Sequence, residues 1–177
     1  MEIWSVQGSC GDLFYSLLDN SSGKGGITII VIRKMTRRDV PTLYDIALLA
    51  FKPDYEKYGV YPPLLRLRRK QFLPSILFGK ALLVDDTIIG GAFVVTMGKK
   101  GEIGAIFIDP AHQNRGYGRQ AMIAIERAHP KVQRWRLEMP GENLGLCRFY
   151  ESLDYSKISE IKDKESGMVD LVYEKTN

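Results

Sequence analysis

A chain of 177 residues, 45% apolar and 26% charged, fits one soluble globular domain, or one domain with a short appendage. Its two cysteines, Cys10 and Cys147, exclude a disulfide framework and suit a reducing compartment, and no apolar run approaches the roughly 20 residues of a membrane helix. The net charge of +4 asks for an anionic ligand, but the basic residues are dispersed, and a small polyphosphate accounts for them as well as nucleic acid does.

Residues 1 to 26 read as an extension. Glu2 and the break from Gly8 to Asp12 are wrong for a signal peptide, and Asp19 to Gly26 has the composition of a flexible linker. A cytoplasmic location with no membrane or nucleic-acid partner follows. The folded unit is expected over residues 27 to 177.

Ile27 to Ile32 is β-branched and predicts a strand. Thr36, with Asp39 three residues on, has the pattern of a helix start, and Leu43, Ile46, Ala47 and Ala50 recur at helical spacing up to Lys52-Pro53. A connection from Lys52 to Tyr61 follows, then a second helix over 62–72. Ala81 to Val84 and Thr87 to Met97 form a hairpin about Asp85-Asp86. Glu102 to Asp109 is a strand closed by Pro110, and Arg115 to Ala128 a helix. The chain then reads as a strand (Val132 to Glu138), a helix (Asn143 to Ser152) and two strands (Tyr155 to Ile161, Met168 to Glu174). That order predicts a mixed α/β fold of the α+β type, with a mostly antiparallel sheet of six to seven strands and about four helices.

The segment Ile106 to Gly118 runs from a strand through a loop into a helix. The free N–H groups and positive dipole end of such a helix make an anion site. Gly116 and Gly118 admit phosphate close to the backbone, and Arg115 and Arg119 add charge. Gly116 to Ala121 also spells G-x-G-x-x-A, the dinucleotide fingerprint of NAD(P)-dependent oxidoreductases, with Glu138 as the ribose-binding acid. Against it stand the long approach from Asp109 to Arg115, the short chain left after Glu138, and the hairpin-rich first half.

Gln113-Asn114-Arg115-Gly116-Tyr117-Gly118 resembles the acetyl-CoA signature of the GNAT superfamily of N-acetyltransferases. Downstream, Asn143, Tyr150, Glu151, Leu153 and Tyr155 resemble that superfamily's second motif, with Cys147 near its small residue and Asp154 in place of its glycine. The resemblance spans roughly residues 27 to 175. It implies an acetyl-CoA-dependent N-acetyltransferase acting by direct transfer in a ternary complex, or a CoA-binding regulator that has lost turnover. It further implies that the backbone of Ile106, Phe107 and Ile108 pairs with the pantetheine arm. The N–H groups of Gln113, Asn114, Arg115, Gly116, Tyr117, Gly118 and Arg119 would hold the pyrophosphate. Asn143 would bond the pantetheine or the adjacent chain, and Tyr150 would direct its hydroxyl at the CoA sulfur. GNAT proteins are often dimers, so a homodimer is allowed.

Transfer of an acyl group to an amine requires an ammonium to lose its proton and a thiolate to leave. Tyr150 is the candidate acid for the thiolate, its alternative being to pack the helix as Phe149 does. Glu102 is the candidate base, on the strength of the family's histone-acetylating branch, with a water chain as the alternative. Strand alternation would set it on one face with Gly104, Ile106 and Ile108. Tyr55, Tyr58 and Tyr61, with Asp54 and Glu56, suit a cationic amine on a small molecule or a peptide. His112 reads as a solvated loop residue. No metal-ligand spacing is present.

Overall fold

The computed structural model describes residues 29–59, 76–162 and 169–177. They hold a seven-stranded sheet in the order β1-β2-β3-β4-β5-β7-β6. The strands are β1 (Val31–Lys34), β2 (Gly79–Val84), β3 (Thr87–Met97), β4 (Lys100–Ile108), β5 (Arg134–Pro140), β6 (Ser156–Lys162) and β7 (Val169–Thr176). Every neighbouring pair is antiparallel except β4 with β5. This is the mixed, mostly antiparallel sheet expected from the sequence, and its order is not that of a doubly wound dinucleotide fold.

Among the described residues four α-helices accompany the sheet: α1 (Val40–Ala50), α2 (Lys52–Tyr58), α3 (Tyr117–Ala128) and α4 (Leu144–Glu151). One face carries α3 and α4 over a core that includes Met122, Ile125, Trp135, Leu137 and Tyr155. The other carries α1, whose Leu43, Ile46 and Ala47 meet Phe93 and Phe107. Close packing of α1 depends on Gly91, whose Cβ would also meet Leu43, while Gly90 admits the β4 backbone. A Cβ on Gly90 would lie 2.2 Å from the Phe107 carbonyl oxygen, and one on Gly91 2.7 Å from the Phe107 ring.

Turn chemistry sets the registers. Asp85 (φ 47°) and Asp86 (φ 61°) both occupy the left-handed region, as a two-residue hairpin loop between right-twisted strands requires. At the head of α1 the Asp39 carboxylate accepts bonds from both guanidinium nitrogens of Arg33 (2.6 and 2.8 Å) and from the N–H and hydroxyl of Thr36 (2.7 Å each). Thr36 is therefore a donor to the acid rather than the cap. Arg33 and Thr36 together hold Asp39 down to a pKa of about 2.

Several boundaries differ from expectation, each for a local reason. The segment from Lys52 is no connection but the helix α2, because Pro53 stands in its first turn, where the missing N–H costs nothing. Strand β1 begins at Val31, since the Ile30 N–H bonds to the Gln120 side chain (3.2 Å) rather than to a strand. Strand β5 begins at Arg134, because Val132 is held in a turn onto the His129 carbonyl. Helix α3 begins at Tyr117, because Gly116 has a φ of 79°. The helix expected over 62–72 lies outside the described residues.

Candidate active site

The parallel strands β4 and β5 pair over four positions only, from Lys100↔Arg134 to Ile103↔Leu137. Above that stem β4 runs on to Ile108 and β5 to Pro140 without pairing to each other, so the sheet forks. The register of β3 on β4 steps from Val94↔Ile103 to Phe93↔Ala105, which leaves Gly104 as a bulged residue at the point of divergence. The Asp109 N–H donates to the Ile89 carbonyl (2.8 Å), so by alternation Ala105 and Phe107 also bond toward β3. The peptide groups of Ile106 and Ile108 therefore open onto the gap, and those of Phe107 do not. The Ile108 carbonyl accepts from Gln113 Nε2 (2.9 Å), which ties the following loop to the strand end.

That loop carries an Asp109 side chain bonded to the Ala111 N–H and a short 3-10 turn, Pro110–His112. It enters α3 through Asn114 (φ 60°) and Gly116 (φ 79°), and a Cβ on Gly116 would meet nothing within 4 Å. No side chain caps the first turn of α3. Its opening N–H groups therefore have no side-chain acceptor among the described residues, an arrangement suited to an anion. Arg115 and Arg119 are partly engaged by the protein itself, through the Ala111 carbonyl (3.1 Å) and through Ser152 at the end of α4 (3.0 and 3.1 Å). Gly118 faces the Phe149 ring of α4, at a distance where a Cβ would make ordinary contact (3.5 Å). His112 is half-buried rather than solvated, and its Nδ1 has no partner among the described residues.

Helix α4 stands on the same face. Asn143 caps it, its Oδ1 accepting from the Leu146 N–H (3.1 Å), and Asp154 closes it in the left-handed region (φ 68°), where the family pattern has glycine. Tyr150 is buried among aromatic rings, 5.0 Å from Phe149, 6.0 Å from Tyr155 and 6.5 Å from Tyr173. Burial pushes its phenol up to about 12, so it stays protonated at neutral pH. Tyr155 and Tyr173 have acid partners, Glu126 (2.9 Å) and Glu151 (3.1 Å), while the Tyr150 hydroxyl has none among the described residues.

The model of the acetyltransferase (GNAT) family matches residues 40–155, which contain the fork, the loop and α4. The chain belongs to the acetyltransferase (GNAT) family. No curated protein matches this acetyltransferase by sequence. Among solved structures it is similar to the PaiA N-acetyltransferase of Thermoplasma acidophilum in complex with coenzyme A, at 21% identity and a TM-score of 0.68, over 84% of this chain and 99% of that one. It also resembles the ribosomal-protein-S18-alanine N-acetyltransferase of Escherichia coli (17%, TM-score 0.64, 83% and 93% covered). A third is the Salmonella typhimurium acetyltransferase that modifies the N-terminal serine of ribosomal protein L7/L12 (15%, TM-score 0.68, 86% and 96% covered). At these identities the likeness establishes the fold.

In this acetyltransferase the bulge at Gly104 moves one expected residue to the other face. Ile103, Ile106 and Ile108 contact the α3 side, whereas Ala105 and Phe107 contact the α1 side. Glu102 therefore shares the α1 face with Phe107 and not, as simple alternation gives, the face of Ile106 and Ile108. It is exposed, one residue below the last β4–β5 pair, and in register with Arg136. On the same face Arg136 is paired with Glu138 (2.7 Å), and Lys57 of α2 with Glu142 (3.0 Å). Asp54 on α2 is half-buried, which raises its carboxyl pKa, and Tyr55 is exposed beside it. The Tyr58 side chain and Tyr61 lie outside the described residues. What the sequence did not disclose is the support beneath Tyr150: Glu126 of α3, held by Lys175 of β7 (2.7 Å) and by the Tyr155 hydroxyl. No spacing rule links residues 49 apart, although a lone glycine within a strand is a signal for the Gly104 bulge.

Proposed function

We propose that this acetyltransferase moves an acetyl group from acetyl-CoA to a primary amine by direct transfer in a ternary complex. The observation that carries the reading is the open edge of β4 beside an uncapped helix start. Peptide groups at Ile106 suit a chain-like amide donor such as pantetheine, and the N–H groups leading into α3 at Gly116 suit its pyrophosphate. Arg115 and Arg119, at the rim, add positive charge to that end. Acetyl-CoA supplies, when bound, an acyl group activated as a thioester.

Tyr150 holds the proton that a departing thiolate needs. Its neutrality is secured by burial and its hydroxyl is uncommitted, which together favour an acid over a packing residue. Glu102 takes the ammonium proton on the opposite face through water, since its side chain is exposed. The acidic α2 rim, with Asp54, Glu56 and Tyr55, favours a cationic acceptor. Two of the similar proteins acetylate residues of ribosomal proteins, and this supports a peptide or protein amine alongside small molecules. The test is calorimetry with acetyl-CoA followed by thiol release across a panel of polyamines, amino acids and N-terminal peptides. Heat of binding with release for one class is expected. The absence of binding heat with acetyl-CoA would overturn the donor assignment.

A further inference from the structure

No described residue bonds the Tyr150 hydroxyl, so the packing of the ring sets where its oxygen lies. The rings of Phe149, Tyr155 and Tyr173 do that packing. The two tyrosines are themselves pinned at the far end. The Tyr155 hydroxyl donates to Glu126 Oε1 (2.9 Å), and the Tyr173 hydroxyl to Glu151 Oε1 (3.1 Å). A free phenol thus packs on two that are tied down. The backbone adds to the hold on one side. The Tyr150 carbonyl accepts from the Leu153 and Tyr155 N–H groups (2.9 and 3.1 Å), so Tyr155 meets Tyr150 through both its ring and its main chain.

The pin on Tyr155 is a buried ion pair. Glu126 and Lys175 meet at 2.7 Å with side chains only 12% and 17% exposed. Taking both charges out of water offsets most of what their attraction contributes, so such a pair is a poor source of stability. What it does supply is a carboxylate with both oxygens committed, Oε1 to Tyr155 and Oε2 to Lys175, and so a fixed point for the hydroxyl it holds. The Lys175 ammonium also lies over the Tyr155 ring, 5.7 Å from its centre, a second hold on that ring. Glu126 belongs to the last turn of α3, whose first turn opens onto the proposed pyrophosphate site. The helix proposed to meet the donor phosphates therefore also anchors a ring beside the acid.

We propose that Tyr155 and Tyr173 are positioning residues for Tyr150, their hydroxyls pinned by Glu126 and Glu151 so that their rings hold the acid's oxygen in one place for proton transfer. The inference rests on Tyr150 being the acid and deepens that reading. A misplacement of about 1 Å can lower a rate about 100-fold, and the smaller slack left by an unpinned ring should lower it less.

The test is a double-mutant cycle in kcat with the full chain. Acetyl-CoA is the donor, and the acceptor is the amine of the polyamine, amino-acid and peptide panel that releases thiol fastest. Tyr155→Phe keeps the ring and removes the pin. It should lower kcat about 3- to 10-fold with the Kd for acetyl-CoA within about twofold. Tyr173→Phe should have the smaller effect, since that ring is farther from Tyr150 and its bond is longer. In a Tyr150→Phe background each change should lower kcat less than about 1.5-fold, because no acid is left to aim. Glu126→Ala should match the loss in Tyr155→Phe. Glu126→Gln still offers the Tyr155 hydroxyl a partner and should recover most of that loss, although Lys175 loses its counter-charge. Melting curves keep every assay below unfolding, and if Tyr155→Phe does not fold, the two Glu126 variants carry the test. Unchanged kcat in Tyr155→Phe, or equal losses in the two backgrounds, would overturn the proposal and leave Tyr150 as the acid. Wild-type turnover by Tyr150→Phe, or no thiol release by the wild type with any amine, would overturn the acid reading and this proposal with it.

Discussion

Helices α3 and α4 lie side by side on one face of the sheet and begin in opposite ways. Helix α4 starts on Asn143, whose carboxamide satisfies the Leu146 N–H. Helix α3 starts on Gly116, with no side chain over its first turn and open space in front of it. A helix start left unsatisfied costs stability unless solvent or a ligand completes it. One start is thus closed by the protein itself, and the other is left open, as the proposed pyrophosphate site requires. The start of α1 is a third case, in which Asp39 is committed to Arg33 and Thr36.

The strongest way to break this contrast is to fill the open start. Gly116→Glu places bulk and negative charge at the N–H groups of α3, and acetyl-CoA affinity should fall at least about 100-fold by calorimetry. Unchanged affinity would move the ligand elsewhere. Because that position has a φ of 79°, Gly116→Asn, which tolerates the left-handed region, should retain far more affinity than Gly116→Ala.

Tyr150→Phe tests what the α4 side contributes. It should lower kcat about 10- to 100-fold while the Kd for acetyl-CoA stays within about threefold, since stabilising a leaving thiolate is a transition-state effect. Wild-type turnover would return Tyr150 to packing. Glu102→Gln, on the opposite face, should reduce kcat/KM several-fold at neutral pH. The deficit should shrink as the pH approaches that of the free amine, where no base is needed. A deficit that stays constant with pH would reject Glu102 as the base.

The closed starts answer to stability instead. Asp39 is held at about 2, below its usual 3.8, so its pairing stabilises the native state at every pH above about 4. That contribution is lost as pH falls from 3.8 through 2, and after allowance for the solvent around Arg33 it amounts to about 1–2 kcal/mol. Asp39→Asn should remove it and flatten the acid limb of a denaturation curve measured against pH. Asn143→Ala should cost about 1 kcal/mol of stability in urea unfolding with little change in affinity. A large loss of affinity would show that the remaining amide of Asn143 works on the ligand.

Much of this was legible in the chain. The Asp85-Asp86 hairpin, the order of strands and helices, and the loop ahead of Gly116 each follow from local turn and propensity rules. What escaped was non-local. Alternation along β4 put Glu102 with Ile106, and only the pairing with β3 reveals that Gly104 is an extra residue that reverses the phase. Lys52-Pro53 read as a break because proline ends a helix more often than it begins one, yet here it does the second. The fork itself leaves no mark in sequence, since it is defined by where β4 and β5 cease to pair.

That fork makes the sheet a single body at its stem and two separate blades above it, joined by the four pairs from Lys100↔Arg134 to Ile103↔Leu137. The amide of Ile106 should exchange its hydrogen with solvent far faster than the amide of Phe107 one residue on, which is bonded to β3. A chain-like ligand laid between the blades would act as the absent strand, slowing exchange at Ile106 and coupling the blades mechanically. At a free concentration 100 times its Kd, such a ligand would also raise global stability by about 2.7 kcal/mol. The substrate would then be a structural member of the sheet for as long as it is held.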